Sequence, residues 1–262
     1  MLSKNDLKEI IEETISHNID NFFDGKEVKT THMLDHIFPR ERKIRSLIGG
    51  LETSMGTRVW EPLAKEFAKK SGYDVCDEKK FNSSVPVIPD NVTTFISLWE
   101  KKKNKDPSLK LQQYWVELKE YIKGNVDLDS LEFRKIPKGE GVDVILACDS
   151  ELIMFDIKTN QLNAGGGPKF LKNIMNWYAY LALKEYPGDV RCFLAFPFDP
   201  HSGKFWAKEG GKVTPLIKAE EAFVADEFWD QLTRVKGTTS IIEETFKDLG
   251  SEFGKKFSGH FE

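Results

Sequence analysis

Three charged side chains interrupt an otherwise apolar stretch, Gly141 to Asn160, and their types suit phosphate chemistry. Asp156 and Lys158 are two residues apart, so in a strand both project from one face. Asp143 sits near the start of a preceding apolar run, and a turn at Cys148-Asp149-Ser150-Glu151 would fold it back as a hairpin beside them. A charge inside a buried strand is costly unless something pairs with it. Two carboxylates and an amine converging at a sheet end suit a divalent-metal site with a catalytic lysine. The competing reading is an exposed same-face ion pair, worth at most ~1 kcal/mol, with Asp143 as a turn cap.

The elements that must position these groups can be read from periodicity. Residues 3–24 predict a helix capped by Ser3, with Leu7, Ile10, Ile11, Ile15 and Ile19 as its apolar stripe. A second helix is expected over 41–51, closed by Gly49-Gly50. A third runs from about Thr53 to Lys70, with Val59, Trp60, Leu63, Ala64, Phe67 and Ala68 on one face and Pro62 in its first turns or at a kink. A short strand follows at Tyr73–Cys76. Residues 77–90 look like loop, and 91–124 like a broken helical stretch. After the hairpin come a polar Gly-rich loop, an amphipathic helix over 169–186, a strand over 190–196, and a tail with helices near 218–233 and 238–250.

The chain has 262 residues and a formal net charge of −4. That balance argues against a generally sticky nucleic-acid binder. It leaves room for a DNA enzyme with a local basic surface. No apolar run approaches a membrane span, and residues 1–20 lack a signal-peptide core. Cys76, Cys148 and Cys192 show neither zinc spacing nor an even-numbered framework. The expectation is a cytoplasmic protein with reduced thiols and no membrane partner. His32 and His36 are i,i+4 without the glutamate of a zinc-protease motif, and no P-loop, G-x-S-x-G or G-x-G-x-x-G is present.

The order helix, strand, Asp strand, D-x-K strand, helix, strand resembles the PD-(D/E)xK nuclease superfamily, and within it the type II restriction endonucleases. Val142-Asp143 stands where that motif has its proline-aspartate pair, and Asp156-Ile157-Lys158 forms its second half. The helix Gly56-Thr57-Arg58-Val59-Trp60-Glu61-Pro62-Leu63-Ala64 looks like the helix that carries the family glutamate. Glu61 is the candidate and Glu52 its rival. Residues 44–73 with 155–160 look closer still to TdeIII/MjaII-like enzymes.

The resemblance implies an α/β restriction-endonuclease-like core with a mixed central sheet flanked by helices, plus helical additions. It implies one nuclease domain over 1–262, with a core at about 44–197, a largely helical insertion at about 85–138 and an extension over 198–262. It implies Mg²⁺ held by Asp143, Asp156, the carbonyl of Ile157 and Glu61, with Lys158 orienting or activating the attacking water. Sequence-specific cleavage of double-stranded DNA would leave 5′-phosphate ends at a short palindrome, interrupted and GGNCC-like if the narrower likeness holds. A homodimer and a cognate DNA methyltransferase would accompany it.

The loop after the motif offers Asn160, Gln161, Asn163, Lys169, Lys172 and Asn173 as weak DNA-contact candidates. A flexible connector leading into a Pro-initiated helix explains the same residues equally well. Lys101–Lys105 is either a backbone grip or, more commonly, a solvated helix end. Three rival functions stay open: a structure-specific repair or recombination nuclease, a catalytically inactive DNA-binding module, and a metabolic metal enzyme of another α/β class.

Overall fold

The computed structural model describes residues 2–24, 32–159 and 165–258. The chain packs as two units: Met1–Ser71 with Trp229–Glu262, which is helical, and Gly72–Phe228, which holds the sheet.

In the helical unit, α1 (Lys4–Phe23) begins in a capping box. The Ser3 hydroxyl accepts from the Asp6 N–H, and the Asp6 carboxylate accepts from the Ser3 N–H. Leu7, Ile10, Ile11 and Ile15 are buried along one face, as their spacing requires. Helix α2 (Pro39–Met55) runs straight through Gly49-Gly50, against the expected stop. Glycine inside a helix costs about 1 kcal/mol against alanine. It ends a helix when the chain adopts a left-handed φ, and neither of these glycines does.

A π-helical turn, Gly56–Trp60, links α2 to α3 (Glu61–Lys70). There the Glu61 N–H reaches back five residues to the Gly56 carbonyl. Pro62 follows in the first turn of α3, where its missing N–H costs least. Leu63, Ala64 and Phe67 of α3 are fully buried, and Trp229 packs edge-on against Phe67. The chain enters this unit along α9 (Asp226–Thr233) and ends it with α10 (Thr238–Lys256).

The sheet unit opens with β1 (Asp74–Val75). Residues 77–90, expected as loop, contain α4 (Glu78–Ser83) and β2 (Val85–Pro86). Asp77 caps α4 by accepting from the Lys80 N–H, a local signal too short for periodicity to register. Next come α5 (Asp90–Lys105) and α6 (Leu111–Asn125), broken at Pro107, then β3 (Phe133–Arg134), which pairs with β2. The hairpin is β4 (Val144–Cys148) and β5 (Glu151–Ile157), in register Cys148↔Glu151 to Val144↔Phe155. Its two-residue turn puts Asp149 at φ 52°, a conformation aspartate tolerates better than most residues. Helix α7 (Gly166–Leu183) leads to β6 (Asp189–Phe196), α8 (Phe205–Val213) and β7 (Ala222–Val224).

The sheet order is β1-β4-β5-β6-β7, antiparallel through β5 and parallel from β5 to β7. This is the mixed sheet with flanking helices that the resemblance implies. Leu152 and Met154 on one face of β5 share a core with Trp115 of α6 and Ile174, Trp177 and Tyr178 of α7. Phe155 on the opposite face stacks on Phe193 of β6.

The start of α7 sits tightly on the end of α8. A Cβ at Gly167 would overlap the carbonyl oxygens of Thr214 and Val213, so no side chain fits. Gly167→Ala is therefore expected to cost about 1–3 kcal/mol, the usual range for overpacking. At about 2–4 °C per kcal/mol for a chain of this size, calorimetry resolves the drop. An unchanged midpoint would mean the two helix ends are not held this closely.

Candidate active site

Asp143, Asp156 and Lys158 meet at one end of the hairpin. Asp156 is the penultimate residue of β5, and Lys158 follows that strand directly. The Lys158 Nζ stands 2.6 Å from Asp156 Oδ1. The Asp156 side chain is 7% exposed and that of Lys158 31%, so the acid is sunk in the fold while the lysine side chain is partly open to solvent. The Lys158 backbone N–H donates to Ala195 O at 2.9 Å, which extends the β5–β6 pairing past the formal strand end. The ammonium also lies 5.1 Å from the ring centre of Phe170 on α7, a cation–π separation.

Asp143 just precedes β4. Its N–H donates to Phe155 O at 3.2 Å, and its Oδ2 accepts from the Ile157 N–H at 2.9 Å. The Asp143 carboxyl lies near enough to act on that of Asp156. Burial pushes the Asp156 carboxyl well above the ordinary carboxylate range, and Asp143 pushes it the same way. Lys158 pulls it down without cancelling them.

The approach to Asp143 is pinned at several points. Asn82 of α4 holds Val142 twice: its Nδ2 donates to Val142 O at 2.9 Å, and its Oδ1 accepts from Val142 N at 3.1 Å. Two residues of α7 reach the same loop. Asn173 Nδ2 donates to Gly139 O at 3.2 Å, and Trp177 Nε1 to Glu140 O at 2.8 Å.

Asn173 is thus buried and engaged in holding the hairpin approach, whereas Lys169 and Lys172 are exposed on α7. Asn160, Gln161 and Asn163 lie outside the described residues. Glu61, part-buried, and Glu52, exposed, both belong to the helical unit, and their candidacy rests on sequence resemblance. The Ile157 main chain adjoins the acids through its N–H.

Sequence reasoning missed Asn82, Trp177 and Phe170. No spacing rule ties residue 82 to residue 142. Gly141 was the available signal: a Cβ there would press on the Asn82 carboxamide at 3.2 Å. The lysine run was also misread at Lys103, which is buried rather than solvated.

Among the described residues no three His, Cys, Asp or Glu side chains cluster as a ready-made metal cage. Two neighbouring carboxylates still fit Mg²⁺, which commonly takes one or two protein carboxylates and completes its shell with water and substrate phosphate. The nearness of Asp143 to Asp156 fits as well, because a cation would offset the repulsion that pushes the Asp156 carboxyl up.

That crowding has a measurable consequence for protein free of divalent cations. The folded state binds a proton at Asp156 more tightly than the unfolded chain, so the stability this gives is present in acid. It is lost as pH rises above the ordinary value of 3.8 and through the raised one. Asp156→Asn removes the charge and is expected to raise stability at neutral pH by about 0.5–2 kcal/mol. The dependence of the thermal midpoint on pH should flatten with it. Melting curves that track the parent at every pH would mean that Asp156 carries no such strain.

No described helix is long and apolar enough to cross a membrane. A family model described as "Type II restriction endonuclease, HinfI" matches residues 3–250. No curated protein and no solved structure matches the chain. The match is to the HinfI model, so the likeness of residues 44–73 and 155–160 to TdeIII/MjaII-like enzymes is secondary. With nearly its whole length matched, the chain belongs to the HinfI family of type II restriction endonucleases, site-specific deoxyribonucleases.

Proposed function

We propose that Asp143, Asp156 and Lys158 are the hydrolytic centre, and that the enzyme needs Mg²⁺ to cut both strands of DNA at a short palindrome. The observation that carries this reading is the meeting of the two carboxylates and the amine at one strand end, with the lysine side chain partly exposed. Asp143 and Asp156 would hold the metal. Bound there, Mg²⁺ would activate a water and neutralise charge on the scissile phosphate.

The two acids keep their geometry because the backbone holds them. Asp143 is tied by the Ile157 amide, and Asp156 is part of the β5 ladder. Lys158 has the reach to leave Asp156 and set its charge beside the attacking water or the developing phosphorane oxygens. Cleavage would leave 5′-phosphate and 3′-hydroxyl ends. A homodimer with one centre per strand matches a palindromic target, and a methyltransferase reading the same site would protect the cytoplasm's own DNA. The GGNCC-type target remains tied to the TdeIII/MjaII likeness, and the candidacy of Glu61 is tested by the cleavage rate of Glu61→Gln.

The test is digestion of a sequenced plasmid with Mg²⁺ or with chelator, followed by end mapping. Discrete Mg²⁺-dependent fragments bearing 5′-phosphates at one palindrome are expected. A smear or junction-only cutting would put a structure-specific nuclease in its place. DNA retention without nicking would leave a binding module.

A further inference from the structure

We propose that Asn82 is the positioning residue for Asp143, an inference that rests on the proposed centre and names what sets its geometry. Asp143 stands before the first residue of β4, at the edge of the β4–β5 pairing, where its N–H makes the last backbone bond to β5, to Phe155 O at 3.2 Å. Upstream of that bond, at Val142, the backbone is held by something other than the ladder. On the other side of β4, β1 pairs only with Leu146 and Ala147, and its last contact is Cys76 N–H to Ile145 O.

Asn82 takes over at Val142. One carboxamide supplies both the donor and the acceptor that a neighbouring strand would offer, sixty residues away in sequence. Its own carbonyl accepts from Ile136 N–H at 2.9 Å, so both ends of the loop 136–142 are fastened to a single residue. Gly141 leaves the room this needs, since a Cβ there would sit 3.2 Å from Asn82 Nδ2. An asparagine is the residue type required: alanine supplies neither group, and aspartate only the acceptor.

Asn82 touches no reacting group. Its effect passes through Val142 to the adjacent Asp143, whose carboxylate must meet both the Ile157 amide and Asp156. Partners that orient a metal ligand are typically worth about 10–100-fold in metal affinity or activity.

The test uses full-length enzyme with Asn82→Ala and Asn82→Asp, at a temperature where circular dichroism shows each variant folded. Cleavage is measured against Mg²⁺ and against DNA concentration, and the thermal midpoint against Mg²⁺ alone. Asn82→Ala is expected to raise the Mg²⁺ half-saturation by about 10–100-fold, lower kcat, and leave KM for DNA near the parent value. The Mg²⁺-induced rise in midpoint should shrink in parallel, and Asn82→Asp should fall between. A purely structural role would lower the midpoint and leave the Mg²⁺ dependence of the folded protein untouched, which overturns the inference. If Asn82→Ala does not fold, Asn82→Asp decides it by the same two readouts. Parent enzyme that cuts without Mg²⁺, or an active Asp143→Ala, would instead sink the reading of the centre.

Discussion

Lys158→Met is expected to lower the cleavage rate by about 10²–10³-fold, the cost of removing one charge aimed at a developing oxyanion. DNA affinity should stay within a few-fold of the parent, because one lysine among many phosphate contacts contributes little to binding. Asp156 is almost closed to solvent and the Lys158 side chain is not, so the lysine is the member of the pair better placed to meet a phosphate at the surface. Phe170 supports the ammonium from α7 without neutralising it. A structural ion pair would behave differently: its loss would show in stability and hardly in rate. Lys158→Arg sharpens the distinction. Arginine keeps the charge but replaces a compact ammonium with a planar fork, so it preserves an ion pair and disturbs an aimed one. Single-turnover cleavage at saturating enzyme separates chemistry from binding. A Lys158→Met enzyme within tenfold of the parent would remove Lys158 from the chemistry.

The strand pair of the proposed centre was legible because two signals coincide in it. A buried strand tolerates a charge only for a reason, and the two-residue period puts Asp156 and Lys158 on one face without any tertiary information. The hairpin follows from a polar turn between two apolar runs, and the observed Cys148↔Glu151 pairing places it where the residues suggested. Helices α1, α6 and α7 were legible for the same reason, a strong apolar stripe.

What stayed hidden depends on contacts between distant segments. Asn82 looks like an ordinary loop asparagine until Val142 is brought beside it. The helix through Gly49-Gly50 shows propensity yielding to its surroundings: Leu47 is buried on α2, and no left-handed residue is there to stop the helix. Lys103 was hidden most completely. Its neighbours Lys101, Lys102 and Lys105 are exposed, and only the three-dimensional packing distinguishes it from them.

That lysine supports the largest effect expected on stability. The Lys103 side chain is fully buried and its Nζ stands 2.7 Å from Glu221 Oε2, itself 4% exposed. Lys103 also donates to the Leu109 carbonyl. Glu221 accepts the Leu111 N–H at Oε1 (2.7 Å) and the Ile217 N–H at Oε2 (2.9 Å). One pair therefore ties the end of α5 to the start of α6 and to the segment before β7, and the Glu221 backbone carbonyl accepts from Leu194 of β6. Removing either partner leaves a buried charge with no counter-ion, which costs about 3–5 kcal/mol. Lys103→Met and Glu221→Gln should each reach that range in urea unfolding. The double variant should recover most of the loss, because neither charge remains to be desolvated.

The sign of the pH effect separates the two single variants. Burial already pushes the Glu221 carboxyl up against the pull of Lys103. Without the lysine it rises further, so Lys103→Met should be least destabilised in acid and lose stability as pH climbs through the raised value. Glu221→Gln has no carboxyl left to protonate there and should show no such recovery in acid. Two small penalties that simply add would mean the pair is not a coupled unit. At temperatures where all four proteins are folded, cleavage per folded molecule should be equal, because Lys103 then acts as part of the frame rather than of the DNA grip.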